Sequence, residues 1–255
     1  MSAGDFLQSM AQASQERVLA ARAKLSENGL LKQAQATAPP PPLMRGTAGF
    51  DLIAELKLRS PAAGQLRAAD KEDAGKRALG YAEAGAAAVS VLTEPNRFDG
   101  SLAHLSAAAA ALRPRRVPAM RKDFLVDPYQ VVEARAHGAG GVLLILRMLS
   151  RPQLDELCSA AKACGLFALL EAFDEADIEL AHQVLESQSN QEPGPFRVGP
   201  SRSANSRTRP RHRAGAVAGG CELPRSDDFE SGTGTSREAG AGCCRPRCRA
   251  SPKVV

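Results

Sequence analysis

Short apolar runs alternate with capped helical segments along most of this 255-residue chain, and charged residues close several of the runs. Together these features predict an α/β fold, a (β/α)8 TIM barrel with an extra N-terminal helical segment. About 250 residues is the usual size of one such barrel. Five strand–helix units of roughly 25–35 residues each imply parallel strands joined by right-handed crossovers. The competing architecture, a doubly wound open sheet, calls for a glycine-rich phosphate turn after its first strand. Leu58-Arg59-Ser60-Pro61 is not such a turn.

The expected strands are 52–57, 88–93, 118–122, 141–145 and 167–171, all largely apolar, as a parallel sheet covered by helices requires. Residues 5–26 carry a helical period through Phe6, Met10, Val18, Leu19 and Leu25. The prolines at 39–42 then break the chain, so this helix reads as an appendage. A helix over 73–84 stops at Gly85, and one over 102–112 stops at Pro114. Asp127-Pro128 opens the next as cap plus first-turn proline, and Gly138 closes it. Ser150 with Pro152 opens another, ended by Gly165, and Asp174 with Asp177 starts one that ends near Leu185.

Composition narrows the class further. Hydrophobic residues make up 44% of the chain, while aromatics are only 4% and Trp is absent, so the core is built from Ala, Leu, Val and Ile. The net charge of +5 resides in the tail: from Ser187 onward there are 12 Lys+Arg against 6 Asp+Glu, and the preceding body is near neutral. Cys158 and Cys164 fall on one helical segment and read as buried thiols, with nothing that calls for an oxidising compartment. The N-terminus lacks the apolar core of a signal peptide, and 142–146 is far too short to span a bilayer. A cytoplasmic protein without a membrane association is expected.

Three runs place charge at the C-terminal end of a strand. Glu55 and Lys57 stand two residues apart and share a side of the first strand. Lys122 ends the third, and Glu171 ends the fifth. A strand interior holds ionisable groups only when they are paired or used. The strand C-termini are where a (β/α)8 barrel carries its chemistry. Residue chemistry alone leaves other readings open. Glu55–Lys57 can be a structural ion pair, Lys122–Asp123 a surface pair and Glu171 a helix-start carboxylate. Phe98 and Phe124 can be ordinary core, and His104, His137 and His182 read as surface or core.

In context, these segments resemble a known family. Ile53-Ala54-Glu55-Leu56-Lys57 through Ser60-Pro61, and Ser90-Val91-Leu92-Thr93 through Phe98-Asp99-Gly100-Ser101, carry part of the likeness. Arg121-Lys122-Asp123-Phe124 through Asp127-Pro128-Tyr129-Gln130, then Glu133-Ala134-Arg135 and Leu143-Leu144-Ile145, carry the rest. From about residue 5 to 186 the chain resembles the indole-3-glycerol phosphate synthases, barrel enzymes of tryptophan biosynthesis. The resemblance implies a carboxy-lyase that closes the ring of 1-(2-carboxyphenylamino)-1-deoxyribulose 5-phosphate with loss of CO2 and then water. It implies Lys122 as general acid, Glu171 as base and Lys57 as the contact to the substrate carboxylate. Glu55 orients and charge-balances the lysines, Ser60 binds near the phosphate end, and Phe98 and Phe124 wall the anthranilate ring. No cofactor and no metal are implied, the substrate is a small phosphosugar–anthranilate, and a monomer is expected. Another phosphosugar barrel of the same pathway, such as the isomerase, is disfavoured by the Lys-Asp-Phe run and the Glu55/Lys57 pair.

Past Glu186 the pattern breaks. Gly, Pro, Ser and Arg dominate, and no strand or helix period survives. Fragments resembling the family recur in order: Asn205-Ser206-Arg207, then Glu230-Ser231-Gly232. By resemblance Asn205, Glu230 and Ser231 would contact substrate, with Ser231 at its phosphate end. The organisation expected is an N-terminal extension over 1–47, five βα units over 48–186, and the scrambled remainder of the barrel over 187–255. Frameshifts that partly restore the frame account for that remainder. A barrel does not close on five units, so the chain as written is expected to fold poorly and show little or no activity. The alternative is an inactive barrel fragment with a basic interaction tail. A nucleic-acid arm at 207–213 is disfavoured by the lack of aromatics, and a zinc site at Cys243, Cys244 and Cys248 by their spacing.

Overall fold

The computed structural model describes residues 3–46, 50–66 and 73–189. Two helices lead, α1 (Ala3–Lys24) and α2 (Glu27–Ala36). β1 (Ile53–Leu56) follows, then a small antiparallel hairpin of β2 (Arg59–Ser60) and β3 (Gly64–Gln65). Next come α3 (Ala74–Glu83), β4 (Ala88–Leu92), the short α4 (Pro95–Phe98) and α5 (Leu102–Leu112). β5 (Ala119–Lys122), α6 (Pro128–Ala136), β6 (Gly141–Ile145), α7 (Arg151–Ala163), β7 (Phe167–Glu171) and α8 (Glu175–Ser189) complete the order.

β1, β4, β5, β6 and β7 form one parallel sheet in that spatial order. Among the described residues the order never reverses, so they hold no switch point of the kind that defines a doubly wound sheet. The chain winds one way round, as the wall of a barrel does. Among the described residues the wall is an arc with β1 and β7 at its edges.

Alternation along the strands separates two apolar layers. Leu56, Val89, Val91, Ala119, Val142 and Leu144 face outward and pack beneath helix residues such as Ala78, Leu105, Leu112, Leu154 and Leu157. Ala88, Met120, Leu143, Ile145 and Phe167 form the other layer, on the concave side. Alanines at 74, 78, 108, 134, 160 and 161 fill much of the outer layer, which is how a chain so poor in aromatics packs its helices.

The caps expected at Asp127 and Ser150 are present, and Asp73 and Ser101 add two that were not expected. Asp73, Ser101 and Asp127 each accept a first-turn N–H, and Ser150 forms a capping box with Gln153. At the start of α8 the Asp177 N–H donates to Asp174 Oδ1 at 3.0 Å, and the Phe173 N–H donates to Asp177 Oδ2 at 2.8 Å. Gly138 and Gly165 take the left-handed conformation after α6 and α7 (φ 83° and 69°) that ends each helix.

Three expectations need correction. The N-terminal period is not one helix over 5–26. It breaks at Ser26, whose hydroxyl accepts the Gly29 N–H at 3.2 Å and starts α2. Nor is this segment an appendage. Met10 packs into the concave layer, and Val18, Leu30 and Ala34 pack against Tyr129 and Val132 of α6. The prolines break the helix but do not release the chain, because Arg113 donates to the carbonyls of Pro39 (3.0 Å) and Ala38 (3.2 Å). Finally, α8 does not end near Leu185. It continues because Val184 is fully buried and Arg151 donates to the Gln183 carbonyl and the Ser187 hydroxyl, both at 3.2 Å. The readings placed on 190–255, the Arg-rich arm and tail cysteines included, lie outside the described residues.

Candidate active site

β1 turns Ile53 and Glu55 to the concave side while Leu56 packs outward. β5 does the same with Met120 and Lys122. The two ends meet in a carboxylate shared by two ammonium groups. Lys57 lies 2.7 Å from Glu55 Oε1, and Lys122 Nζ donates to Glu55 Oε2 at 2.7 Å. All three side chains are about one-third exposed, so they face the mouth rather than the core. Burial alone raises the Glu55 carboxyl, but the hydrogen bonds and charges of Lys122 and Lys57 outweigh it and hold it below its ordinary range.

A cavity of about 420 Å³ opens over this cluster, lined by Ile53, Glu55, Ser90, Met120, Lys122 and Glu171 among others. Glu171 ends β7 in register with Ile145 and reaches the cavity from the far edge of the sheet. The sequence-predicted Glu55, Lys57, Lys122 and Glu171 are therefore gathered at one mouth, from three strands. Ser60 stands in the β2–β3 hairpin just beyond and does not line the cavity. Phe98 and Phe124 are neighbours, with ring centroids 6.1 Å apart, and Phe6 of α1 meets Phe124 edge-on at 6.0 Å. Both belong to the same apolar cluster as the cavity residues Ile53, Met120, Leu143 and Leu169, without lining it themselves. Asn205, Glu230 and Ser231 lie outside the described residues.

A second cavity of about 240 Å³ lies against α1, lined by Arg17, Thr93, Arg121, Tyr129, Gln130 and Glu133 among others. Its charges are already matched, Arg17 by Asp123 and Arg121 by Glu133 and Asp123. It holds none of the expected site residues, so the cavity over Glu55 and Lys122 is the candidate site.

The sequence reading missed what lies behind Lys122. Asp123 is not its surface partner. The Asp123 side chain is fully buried and pairs with Arg17 of α1 through bonds of 3.0 Å and 2.8 Å. It also accepts from the Thr93 hydroxyl at 2.7 Å, and its Oδ2 lies 3.3 Å from Arg121. Burial opposes its ionisation, yet Arg121 and Arg17 hold the carboxyl down to about 2. The signal available was the alternation Arg121–Lys122–Asp123, which must send the first and third residues opposite to the second. Ser90 was also missed. Its hydroxyl is buried beneath the cavity with no hydrogen-bond partner among the described residues. Cys158 and Cys164 are inert thiols, pushed by burial up to about 12 and about 11. His137 is half-buried and bonded to Ser106 at 2.8 Å, away from the candidate site.

A wall of parallel strands with acids and bases at their carboxyl ends defines the class, an α/β barrel carrying chemistry at its mouth. The family model described as indole-3-glycerol phosphate synthase matches residues 7–188. The chain is 40% identical over 185 residues to an indole-3-glycerol phosphate synthase of Mycobacterium sp. (strain KMS), covering 72% of this chain and 66% of that one. It is 50% identical over 127 residues to one from Parafrankia sp. (strain EAN1pec), covering 50% and 46% of the two chains. With one from Nocardioides sp. (strain ATCC BAA-499 / JS614) it is 51% identical over 134 residues, covering 52% and 50%. The chain belongs to the indole-3-glycerol phosphate synthase family, whose fold is a TIM barrel. The matches span from about half to about two thirds of these relatives' length.

Proposed function

We propose that this chain acts as an indole-3-glycerol phosphate synthase, a carboxy-lyase of tryptophan biosynthesis. Its substrate is 1-(2-carboxyphenylamino)-1-deoxyribulose 5-phosphate. The observation that carries the reading is the single carboxylate of Glu55 held between Lys57 and Lys122 beneath a cavity that also receives Glu171. Ring closure needs a proton delivered to the ketone oxygen as the new C–C bond forms. Lys122 is the donor in reach of the cavity. Its 2.7 Å bond to Glu55 holds the ammonium aimed at the cavity until substrate displaces or shares it. Lys57 neutralises the substrate carboxylate before CO2 leaves. In the dehydration Lys57 protonates the departing hydroxyl, which leaves as water, while Glu171 takes the carbon-bound proton. Phe98 and Phe124 wall the anthranilate end from the apolar layer behind the cavity. Ser60 serves the phosphate end.

The acid–base half of this site is carried by residues 55–171, and no regular strand pattern is legible in the sequence after 186. Turnover by the chain as written is therefore expected to be slow. The chain works as a cytoplasmic monomer with no cofactor, and its tail takes no part in nucleic-acid binding. No helix among the described residues is long and apolar enough to cross a membrane. The test is a single-turnover reaction with enzyme in excess of substrate, following the indole product by its fluorescence. Product from the chain and none from Lys122→Met supports the reading; equal yields from both sink it.

A further inference from the structure

We propose that Arg17 of the N-terminal helix and Asp123 form a positioning pair that fixes where Lys122 stands in the active site. The inference rests on the reading of Lys122 as the general acid. Lys122 and Asp123 are consecutive, so the end of β5 sends one to the concave side and the other to the helical side. Whatever anchors Asp123 therefore sets the backbone that carries Lys122.

That anchoring is dense. Arg17 grips both Asp123 oxygens, at 3.0 Å and 2.8 Å. The Phe124 N–H donates to Asp123 Oδ1 at 2.8 Å, closing the turn immediately after Lys122. The Thr93 hydroxyl donates to Asp123 at 2.7 Å, and the Thr93 N–H donates to the Lys122 carbonyl at 3.0 Å. The ends of β4 and β5 are thus tied to each other through the same two residues. A second strand of bonds comes from α1. The Ser14 hydroxyl donates to the Phe124 carbonyl, Gln130 donates to Ser14 at 2.9 Å, and the Val126 N–H donates to Gln130 at 2.9 Å. Arg121, on the same side as Asp123, is held by the Gln130 carbonyl at 2.9 Å and by Glu133 at 2.8 Å.

A further clasp from the same helix makes an internal control. Arg22 grips Asp127 through two bonds of 2.9 Å. It fastens α1 to the start of α6, five residues beyond Lys122, without reaching the β5 turn. If α1 only stabilises the fold, removing Arg17 or Arg22 has like consequences. If Arg17 positions Lys122, only its removal disturbs the site.

The test reads the site without relying on turnover. The carboxyl of Glu55, assigned by its absence in Glu55→Gln, is titrated by carbon-13 NMR in the full chain, in Arg17→Met and in Arg22→Met. Loosening the β5 turn weakens the Lys122–Glu55 bond, so the Glu55 midpoint rises by about half a unit or more in Arg17→Met. It stays at the parent value in Arg22→Met, and Arg17→Lys, which keeps the charge but loses the two-pronged grip, falls between. In single turnover, Arg17→Met lowers the rate while substrate affinity holds. An unchanged Glu55 midpoint in a folded Arg17→Met overturns the proposal. So does a loss of folding in both Arg17→Met and Arg17→Lys, which assigns the pair a structural role. A moved midpoint with no product from any variant keeps the positioning pair and sinks the proposed reaction instead.

Discussion

Glu55 Oε2 and Lys122 Nζ stand 2.7 Å apart although their strands, β1 and β5, are not neighbours. β4 lies between them, and the residue it places beside Glu55 in register is Ser90. Two long side chains bridge over a short one. The gap that lets them meet is also the floor of the cavity.

Removing either lysine should release Glu55. Lys122→Met and Lys57→Met each take one hydrogen bond and one charge from a carboxylate that burial already disfavours. The Glu55 carboxyl is expected to rise toward its ordinary range in each, and further in the double variant. A pH titration of its carbon-13 resonance checks this. A midpoint unmoved in Lys122→Met contradicts the shared-carboxylate geometry.

Asp123 should govern acid stability. Its folded carboxyl is held to about 2 against a reference of 3.8, so its contribution is present above the unfolded value. That stabilisation is lost as pH falls from near 4 through about 2. The difference corresponds to roughly 2 kcal/mol. Urea melts of the parent and Asp123→Asn at pH 7 and pH 3 should show the gap between them shrinking at the lower pH. A gap that widens on acidification contradicts it.

Ser90→Ala should stabilise. The hydroxyl is buried without a partner among the described residues, and removing it relieves an unsatisfied polar group at little cost in volume. A gain of about 1 kcal/mol is expected, read as a higher urea midpoint at constant slope. A loss of stability would mean that a bond to the hydroxyl exists in solution.

Gly100→Ala should destabilise. A Cβ there would lie 2.5 Å from the Leu92 carbonyl oxygen and 2.8 Å from the Thr93 carbonyl carbon, both backbone atoms that cannot swing aside. The strand end that carries Thr93 would have to move. A cost of roughly 2 kcal/mol or more is expected in the same melts, with weakened protection of the Thr93 amide in hydrogen exchange. An unchanged midpoint contradicts the close approach.

Much of this was legible in the chain, and the exceptions share a cause. Spacing of two placed Glu55 and Lys57 on one side, and strand ends placed Lys122 and Glu171 with them, because alternation and capping are local rules. All five strands fall within the expected runs, two of them with unchanged ends, while 52–57, 88–93 and 118–122 each lose one or two terminal residues. The pairing of Arg17 with Asp123 spans 106 positions and follows no local rule. Neither does the reach of Glu55 across β4. The break at Ser26 was a local signal overlooked, a serine followed by an acidic first turn inside an apolar period. Ser60, Phe98 and Phe124 stand at the margin of the site because their partners come from loops and from α1.

The most direct test of the proposed chemistry is single-turnover conversion of 1-(2-carboxyphenylamino)-1-deoxyribulose 5-phosphate by the full chain in molar excess, with Lys122→Met and Glu171→Gln beside it. The expected result is slow formation of indole-3-glycerol phosphate by the parent chain, cut by about 10²-fold or more in each variant. Product that forms equally in all three, or in none, contradicts the assignment of Lys122 and Glu171 as its acid and base.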